Sequence, residues 1–488
     1  MKVLSKINIP LIFRIEGLLL LIEGFFMLTV LPFTYFYSGV YVFSMPFSAL
    51  ITIMMGFVFV VATRRHKDDK TTSRDGVVIV CISWLVLSLF GCLPYVFSKS
   101  VPNFTDAFFE ALSGFTTTGA TILTDIESVS KDILFWRSLT QWLGGLAIIV
   151  FPIAILPLLS IGGMQLFITE MNGITYDKLH PRIMHTVKRV WFLYLFFTLL
   201  ETLLLYLGDM DLYDALSHSM TTISTGGFST HNASISAFSG YSQIVVCAFM
   251  VLAGCNFTLL LLSFTRRKFT AIFRDEEFSA YLKNIFFVSV GFALVLLFVN
   301  HVKAPTAFRQ SFFSVVSCVT TTGFFVVDYA QWPLFLTVFM LLLIIVGGCS
   351  GSSSGGIRVI RHLIFIRNSF LELKRIIHPN AILPVKINDK SLSSNGIYKN
   401  ISFIFIYFFV VVAGVMILLS LGVDFDTSLG ASLATLSNAG TAIGDVGPFG
   451  SYVFMPQIAK WILMLFMLLG RLELFTLIIL FSRNFWKN

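Results

Sequence analysis

Four stretches of this 488-residue chain repeat one pattern: DAFFEALSGFTTTGAT (106–121), DALSHSMTTISTGGFS (214–229), FRQSFFSVVSCVTTTGFF (308–325) and TSLGASLATLSNAGTAIG (427–444). Each reads as a short apolar helix running into small hydroxyl residues and glycine. Aligned on Gly119, Gly226, Gly323 and Gly440, they recur at intervals of 107, 97 and 117 residues; a near-regular period of this kind marks a repeat architecture. A helix of about ten residues rises only ~15 Å, half the hydrocarbon thickness of a bilayer. Such a segment cannot span, so it must enter and leave on one side. Irregular backbone at that depth persists only where it is buried in protein or lines a wet cavity. Four such loops are therefore expected to converge on one axis.

The flanks of each loop fit that expectation. Apolar runs at 77–97 and 135–159 bracket the first, 190–207 and 241–264 the second, 285–299 and 332–346 the third, 401–421 and 454–481 the fourth. Most approach the ~20 residues a spanning helix needs, whereas barrel strands would alternate over about ten. The expected fold class is an all-α polytopic membrane protein. Four parallel repeats of membrane helix, pore loop and membrane helix would surround a central pore, preceded by an N-terminal transmembrane hairpin at 11–35 and 41–62. The corresponding divisions are 1–70 for the hairpin, then repeats at 71–170, 171–275, 276–380 and 381–488. Composition agrees: 56% of residues are hydrophobic and 12% charged, and mean hydropathy is +0.85, where a soluble domain carries roughly a quarter charged residues. Lys2, Lys6 and Arg14 ahead of an apolar run resemble a signal peptide. No small-residue cleavage site follows, however, and Glu23 interrupts the run, so the segment reads as a retained helix. The six cysteines sit mostly in apolar stretches without a C-x-x-C spacing, which argues against disulfides and structural zinc.

Basic residues fix the expected orientation, because lysine and arginine accumulate in short cytoplasmic loops. With the N-terminus inside, that side collects Lys2, Lys6 and Arg14, five basic residues at 64–74, four at 178–189, five at 266–283, eight at 358–399, and Arg483 and Lys487. The opposite side receives Lys99, Lys131, Arg137, Lys303 and Arg309, while Lys460 and Arg471 fall within a late helix. The net charge of +8 thus reads as positive-inside bias rather than a nucleic-acid footprint.

The loop chemistry suits a hard monovalent cation. Thr116, Thr117, Thr118 and Gly119 have counterparts in Ser224, Thr225 and Gly226, in Thr320, Thr321, Thr322 and Gly323, and in Asn438, Ala439 and Gly440. Small residues let main chain approach an ion, and glycine frees φ so that carbonyls can replace a hydration shell. The C-terminal ends of the four short helices would add negative potential at the same point. Beyond the glycines, Asp125, Asp328 and Asp445 form either a loose carboxylate ring that concentrates cations or simply solvated loops.

Several motifs make the resemblance specific. The four loops, FPIAILPLLSIGGMQLF (151–167), GGCSGSSSGGIRVIR (347–361) and GRLELFT (470–476) are together similar to the Trk branch of the Trk/Ktr/HKT superfamily of potassium transporters. That resemblance spans nearly the whole chain and includes the extra N-terminal hairpin. It implies potassium uptake across a bacterial inner membrane, passive or coupled to protons or sodium, with both termini cytoplasmic. It implies a homodimer in the lipid bilayer that binds a cytoplasmic nucleotide-binding regulatory ring, with potassium ion as the bound species and no organic cofactor, catalytic residue or nucleic acid. It also implies that carbonyls at Thr117, Thr118, Ser224, Thr225, Thr321, Thr322, Asn438 and Ala439 line the ion path. Asn438 and Ala439 replace threonines of the first and third loops, so the fourth side is chemically distinct. Glycine at all four aligned positions resembles the potassium-selecting set; in related plant proteins a serine at the first goes with sodium.

Two features suggest a gate. The run 332–346 would extend only ~22 Å before meeting Gly347, Gly348, Cys349, Ser350, Gly351, Ser352, Ser353, Ser354, Gly355 and Gly356. Interior glycines cost a helix about 1 kcal/mol each relative to alanine, so this stretch should unwind within the membrane, as a mobile plug under the loops or as a linker to the basic helix after it. Arg471 lies midway along 454–481, where a buried charge is costly and should face the pore or a partner; the resemblance makes it an electrostatic barrier. Glu473 lies about 200° around that helix and cannot be its same-face neighbour. Glu16 and Glu23, seven apart, are expected to make interhelical hydrogen bonds, and His218 to pack between helices. Gly348, Cys349, Ser350 and Gly351 spell a G-x-S-G nucleophile motif of intramembrane proteases. The later histidines, His362 and His378, stand in the basic segment, which argues against that chemistry.

Overall fold

The structure is a computed structural model that describes residues 7–37, 43–64, 72–155, 183–266, 270–381 and 383–486. Most of the FPIAILPLLSIGGMQLF run, from 156 onward, lies outside the described residues, as do the basic residues at 2, 6, 65, 67, 70, 178, 182, 267, 268 and 487. Among the described residues the only strands are the two-residue pair Lys386–Ile387 and Lys390–Ser391. Everything else that is regular is helical. Six helices are long and apolar enough to cross a membrane: Ile9–Phe36, Ser44–Thr63, Arg74–Phe97, Thr186–Tyr206, Glu276–Phe298 and Ser394–Ser420.

The N-terminal hairpin closes through small residues. Gly17 and Gly56 face each other so closely that a methyl group on either would press on the other's carbonyl oxygen, the close approach that glycine permits between membrane helices. Its connection to the first repeat is polar. Glu16 accepts a hydrogen bond from Ser83 Oγ at 2.8 Å, and Asp75, which caps its own helix in a capping box with Thr72, also accepts the Asn8 N–H at 2.8 Å. Glu23 departs from expectation: it is buried, and neither carboxylate oxygen has a hydrogen-bond partner among the described residues.

Each repeat contributes a first spanning helix and then a short one: Phe104–Phe115, Leu212–Ile223, Ala304–Val319 and Phe425–Leu436. Three of the short helices open on a side-chain cap, from Asn103, Asp211 and Asp424, which satisfies amides that would otherwise be orphaned. Their second helices differ from the sequence expectation. The run at 241–264 is two helices, Gly240–Ala253 and Phe257–Thr265, bent by 94°, and 454–481 is likewise Gln457–Arg471 and Leu474–Phe481, bent by 117°. The third, Leu334–Val346, ends in the glycine-rich segment and resumes as Val359–Ile377. Lys131–Ile155 of the first repeat is unbroken over its described length. Hydropathy runs straight through both unexpected breaks, because the residues on each side of a bend are equally apolar. The breaks themselves sit at polar or left-handed positions: Asn256, whose Oδ1 caps the following turn, and Glu473, with φ of +56°.

Candidate functional site

The four short helices end identically. At each C-terminus the residue after the cap adopts a left-handed conformation, and all four are non-glycine: Thr117 (φ +49°), Thr225 (+51°), Thr321 (+54°) and Asn438 (+52°). One residue further on, the amides of Thr118, Gly226, Thr322 and Ala439 reach back to the carbonyls of Ser113, Thr221, Ser317 and Ala434 at 2.8–2.9 Å. This is the Schellman closure, made here with side chains that cost about 1–2 kcal/mol each in the left-handed region. Four-fold repetition of a strained position is an outlier of the kind found at functional sites.

That closure fixes the register and corrects one alignment. The second loop holds two glycines, and the counterpart of Gly119 is Gly227, not Gly226: the left-handed glycines are Gly119 (φ +82°), Gly227 (+81°), Gly323 (+84°) and Gly440 (+74°). Gly226 stands where Thr118, Thr322 and Ala439 stand, and Ser224 is a cap residue equivalent to Thr116. In this register the loops form a closed ring. A methyl group built on Gly119 would collide with the carbonyl oxygen of Gly226; one on Gly227 with that of Thr322; one on Gly323 with that of Ala439; and one on Gly440 with that of Thr118. Each repeat thus meets the next, and the fourth meets the first.

The loops are braced in two ways. In the first and third, hydroxyls bridge within the loop: Thr116 Oγ1 to Thr118 Oγ1 at 2.8 Å, and Thr320 Oγ1 to Thr322 Oγ1 at 2.7 Å. The second and fourth lack the later hydroxyl and are held from outside. Gln141 donates to the Gly226 carbonyl at 2.8 Å and accepts the Phe228 N–H at 3.0 Å. Asn438 Nδ2 donates to Thr118 Oγ1 and to the Met467 carbonyl, both at 2.9 Å, and Tyr452 donates to the Gly440 carbonyl at 2.9 Å.

Against the cap side of the ring lies the glycine-rich segment, with Cys349, Ser350, Ser352, Ser353 and Ser354 all buried. Gly355 N–H donates to Thr321 Oγ1 at 2.7 Å, Gly356 N–H to the Ser437 carbonyl at 3.0 Å, and Ser353 Oγ to the Ile223 carbonyl at 3.0 Å. It therefore touches three of the four loops. Gly348 and Gly351 tie it outward, accepting from Val359 and Phe257, while Gly347, Gly351 and Gly356 take the positive φ values that its turns require.

Residues 46–488 match the family model described as TrkH, cation transport protein. The chain is 41% identical over 429 residues to the Trk system potassium uptake protein TrkH of Escherichia coli K12, covering 87% of this chain and 88% of that protein. It is 37% identical to its Halomonas elongata namesake, covering 99% and 100%. The crystal structure of the potassium transporter TrkH from Vibrio parahaemolyticus superposes with a TM-score of 0.89 at 36% identity, over 98% of this chain and all of that one.

The chain belongs to the TrkH family of cation transport proteins. Membership in a transport family replaces the protease alternative, and Ser350 Oγ, its nucleophile candidate, donates to Glu277 at 2.7 Å rather than to a histidine. In this TrkH-family protein Arg471 is the last residue of its helix rather than the middle of a longer one. It is buried and donates from Nη1 to the Ser353 carbonyl at 2.8 Å, whereas its Nε and Nη2 have no hydrogen-bond partner among the described residues. Glu473 turns away to Arg361 at 3.0 Å and Arg358 at 3.4 Å. A cleft lined by Gly355, Gly356, Arg358, Arg471 and Glu473 opens beside them. Of the outer carboxylates, Asp125 accepts from Asn232 Nδ2 at 2.8 Å and Asp328 caps the turn at Ala330; these bonds organise loops.

Sequence reasoning passed over Glu110, Arg137 and Gln141. Glu110 and His218 occupy equivalent positions once the register is set. Glu110 accepts from Thr121 Oγ1 at 3.0 Å and Ile122 N–H at 2.8 Å. His218 Nε2 meets Ser229 Oγ, the equivalent of Thr121, at 2.9 Å, with Nδ1 donating to the Asp214 carbonyl at 2.8 Å. Both therefore pin the segment leaving a loop, and the His218 ring packs against Phe238 and Phe324, which lie outside the helices. Their shared spacing from the cap residue was the available signal.

Proposed function

We propose that this protein carries dehydrated potassium ions inward across the bacterial inner membrane through a selectivity filter formed by the ring of loops. The observation that carries this reading is the closed cyclic contact, each left-handed glycine seated against a carbonyl oxygen of the next repeat. Main-chain oxygens at Thr117, Thr118, Thr225, Gly226, Thr321, Thr322, Asn438 and Ala439 replace water around the ion, helped by the negative ends of four converging helices. Thr117 Oγ1 and Asn438 Oδ1, buried in the ring without hydrogen-bond partners among the described residues, supply polar surface that fits a cation path. The relatives are named as potassium uptake proteins, which favours potassium as the ion. Positive-inside charge puts both termini in the cytoplasm, and the membrane potential supplies about 2.3 kcal/mol per charge per 100 mV.

The glycine-rich segment is the gate, with Arg471 behind it as a fixed positive barrier. Its bonds to three loops support a closed plug, and the partnerless Nε and Nη2 of Arg471 support a charge facing the ion path. A homodimer under a cytoplasmic nucleotide-binding ring, which family resemblance implies, would pull on this segment through the basic helix Val359–Ile377. The test is rubidium uptake in cells lacking potassium uptake, with and without the regulatory partner, comparing wild type with Gly119→Ser. Uptake by wild type and a shift toward sodium in the variant are expected. Folded protein that passes no rubidium with its partner present overturns the proposal.

A further inference from the structure

The two braced-from-outside loops raise the question of why position 226 is glycine at all, since the closure there needs no positive φ. The answer lies in what fills the space. A methyl group on Gly226 would collide with Cδ and Oε1 of Gln141, so the glutamine side chain occupies the volume that a side chain at 226 would claim. Gln141 comes from the unbroken helix Lys131–Ile155 of the preceding repeat and is fully buried. Its carboxamide spans the Gly226 carbonyl and the Phe228 N–H, and only one orientation of the amide satisfies both partners.

We infer that Gln141 is a positioning residue for ion selectivity, taking over in the second loop the task that the Thr118 and Thr322 hydroxyls perform in theirs. The inference rests on the filter reading above. A carbonyl in the ring has two lone pairs; the Gln141 donor holds one, which fixes the direction of the oxygen and leaves the other for the ion. In the first and third loops the intraloop hydroxyl bridge supplies that stiffness. Without Gln141 the Gly226–Gly227 pair, the most conformationally free dipeptide of the ring, keeps its return bond to Thr221 and its packing on the neighbouring loops, but nothing holds the direction of the Gly226 carbonyl against a smaller cation.

The test compares sodium with rubidium uptake in the same cells, read as a ratio so that expression cancels. Gln141→Met, of similar shape and without hydrogen bonds, should raise the sodium-to-rubidium ratio by about fivefold, the scale of one hydrogen bond. Gln141→Leu, which removes donor and acceptor together, should do the same. The double variant Gln141→Ala with Gly226→Thr frees the space and restores a hydroxyl opposite Ser224, and should bring the ratio back toward wild type. A wild-type ratio in Gln141→Met or Gln141→Leu overturns the inference. So does loss of folded protein in the single and double variants alike, since the residue would then be structural only. Gly323→Ser runs alongside: if it shifts the ratio and the Gln141 variants do not, the positioning role fails alone, and if it too leaves the ratio unmoved, the filter reading fails.

Discussion

Glu110 and Arg137 form a buried ion pair at 2.6 Å, with side-chain exposures of 0% and 2%. The carboxylate is fully used, by Thr121 and Ile122 as well, and the guanidinium donates to the Ser229 carbonyl at 3.0 Å while lying 3.5 Å over the Phe228 ring. It thereby joins the segment leaving the first loop to that leaving the second. Removing one member of such a pair strands the other in a low dielectric, at about 3–5 kcal/mol, whereas removing both costs far less. Arg137→Met should accordingly lower the unfolding midpoint in detergent more than the double change of Glu110 and Arg137 to leucine does. Additive losses would show that the two are not coupled. Neither residue declared itself in the sequence: Glu110 sits in an apolar helix like any solvated acid, and Arg137 counted only as one cation on the sparsely charged side. Partner identity depended on bringing together residues 27 apart for the ion pair and 92 apart for Arg137 and Ser229, which no local pattern reports.

At the scale of elements, what the sequence made visible was whatever has a period or a composition. The four loops, the first helices and the glycine-rich break at 347–356 all belong to that class. The one-residue offset in the second loop was hidden because Gly226 and Gly227 are indistinguishable as letters, and their roles are separated by the 2.8 Å return bond from Gly226 to Thr221 and the positive φ of Gly227. The helix bends at 254–256 and 472–473 were hidden by continuous hydropathy. Glu277 belongs here too. It stands in the first turn of Glu276–Phe298 and accepts from both Ser350 N–H at 2.6 Å and Ser350 Oγ at 2.7 Å, so one carboxylate anchors the glycine-rich segment to a spanning helix. Hydrogen bonds to a charged group contribute about 1.5–3 kcal/mol. Glu277→Ala should therefore raise rubidium leak through purified protein in vesicles without its regulatory partner, and Glu277→Gln should raise it less. A leak equal to wild type in both would remove this anchor from the gating scheme.

Across the whole molecule, the ring closes where the last repeat docks on the first. Lys460 donates to Asp106 at 2.7 Å and to the Val453 carbonyl at 3.0 Å, Tyr452 N–H reaches the Thr121 carbonyl at 2.8 Å, and Trp461 packs on Phe108 with ring centroids 5.7 Å apart. Lys460→Met leaves a largely buried carboxylate without its cation and should cost about 3–5 kcal/mol. Lys460→Met with Asp106→Asn should recover part of that, as read from thermal unfolding in detergent; a midpoint unchanged by Lys460→Met would mean that other contacts carry this joint. Pairings of such separation form late, because chain entropy opposes them until both ends exist.

That joint also decides what a shortened product would be. The ribosome has made three sides of the ring long before residues 425–471 emerge, and a chain ending ahead of them would leave the Thr118 carbonyl and Asp106 facing lipid. The result would be an open-sided trough with bare polar backbone in hydrocarbon, which a bilayer does not tolerate. Premature termination in the final quarter is therefore expected to yield a substrate for membrane proteolysis instead of a leaky conduit.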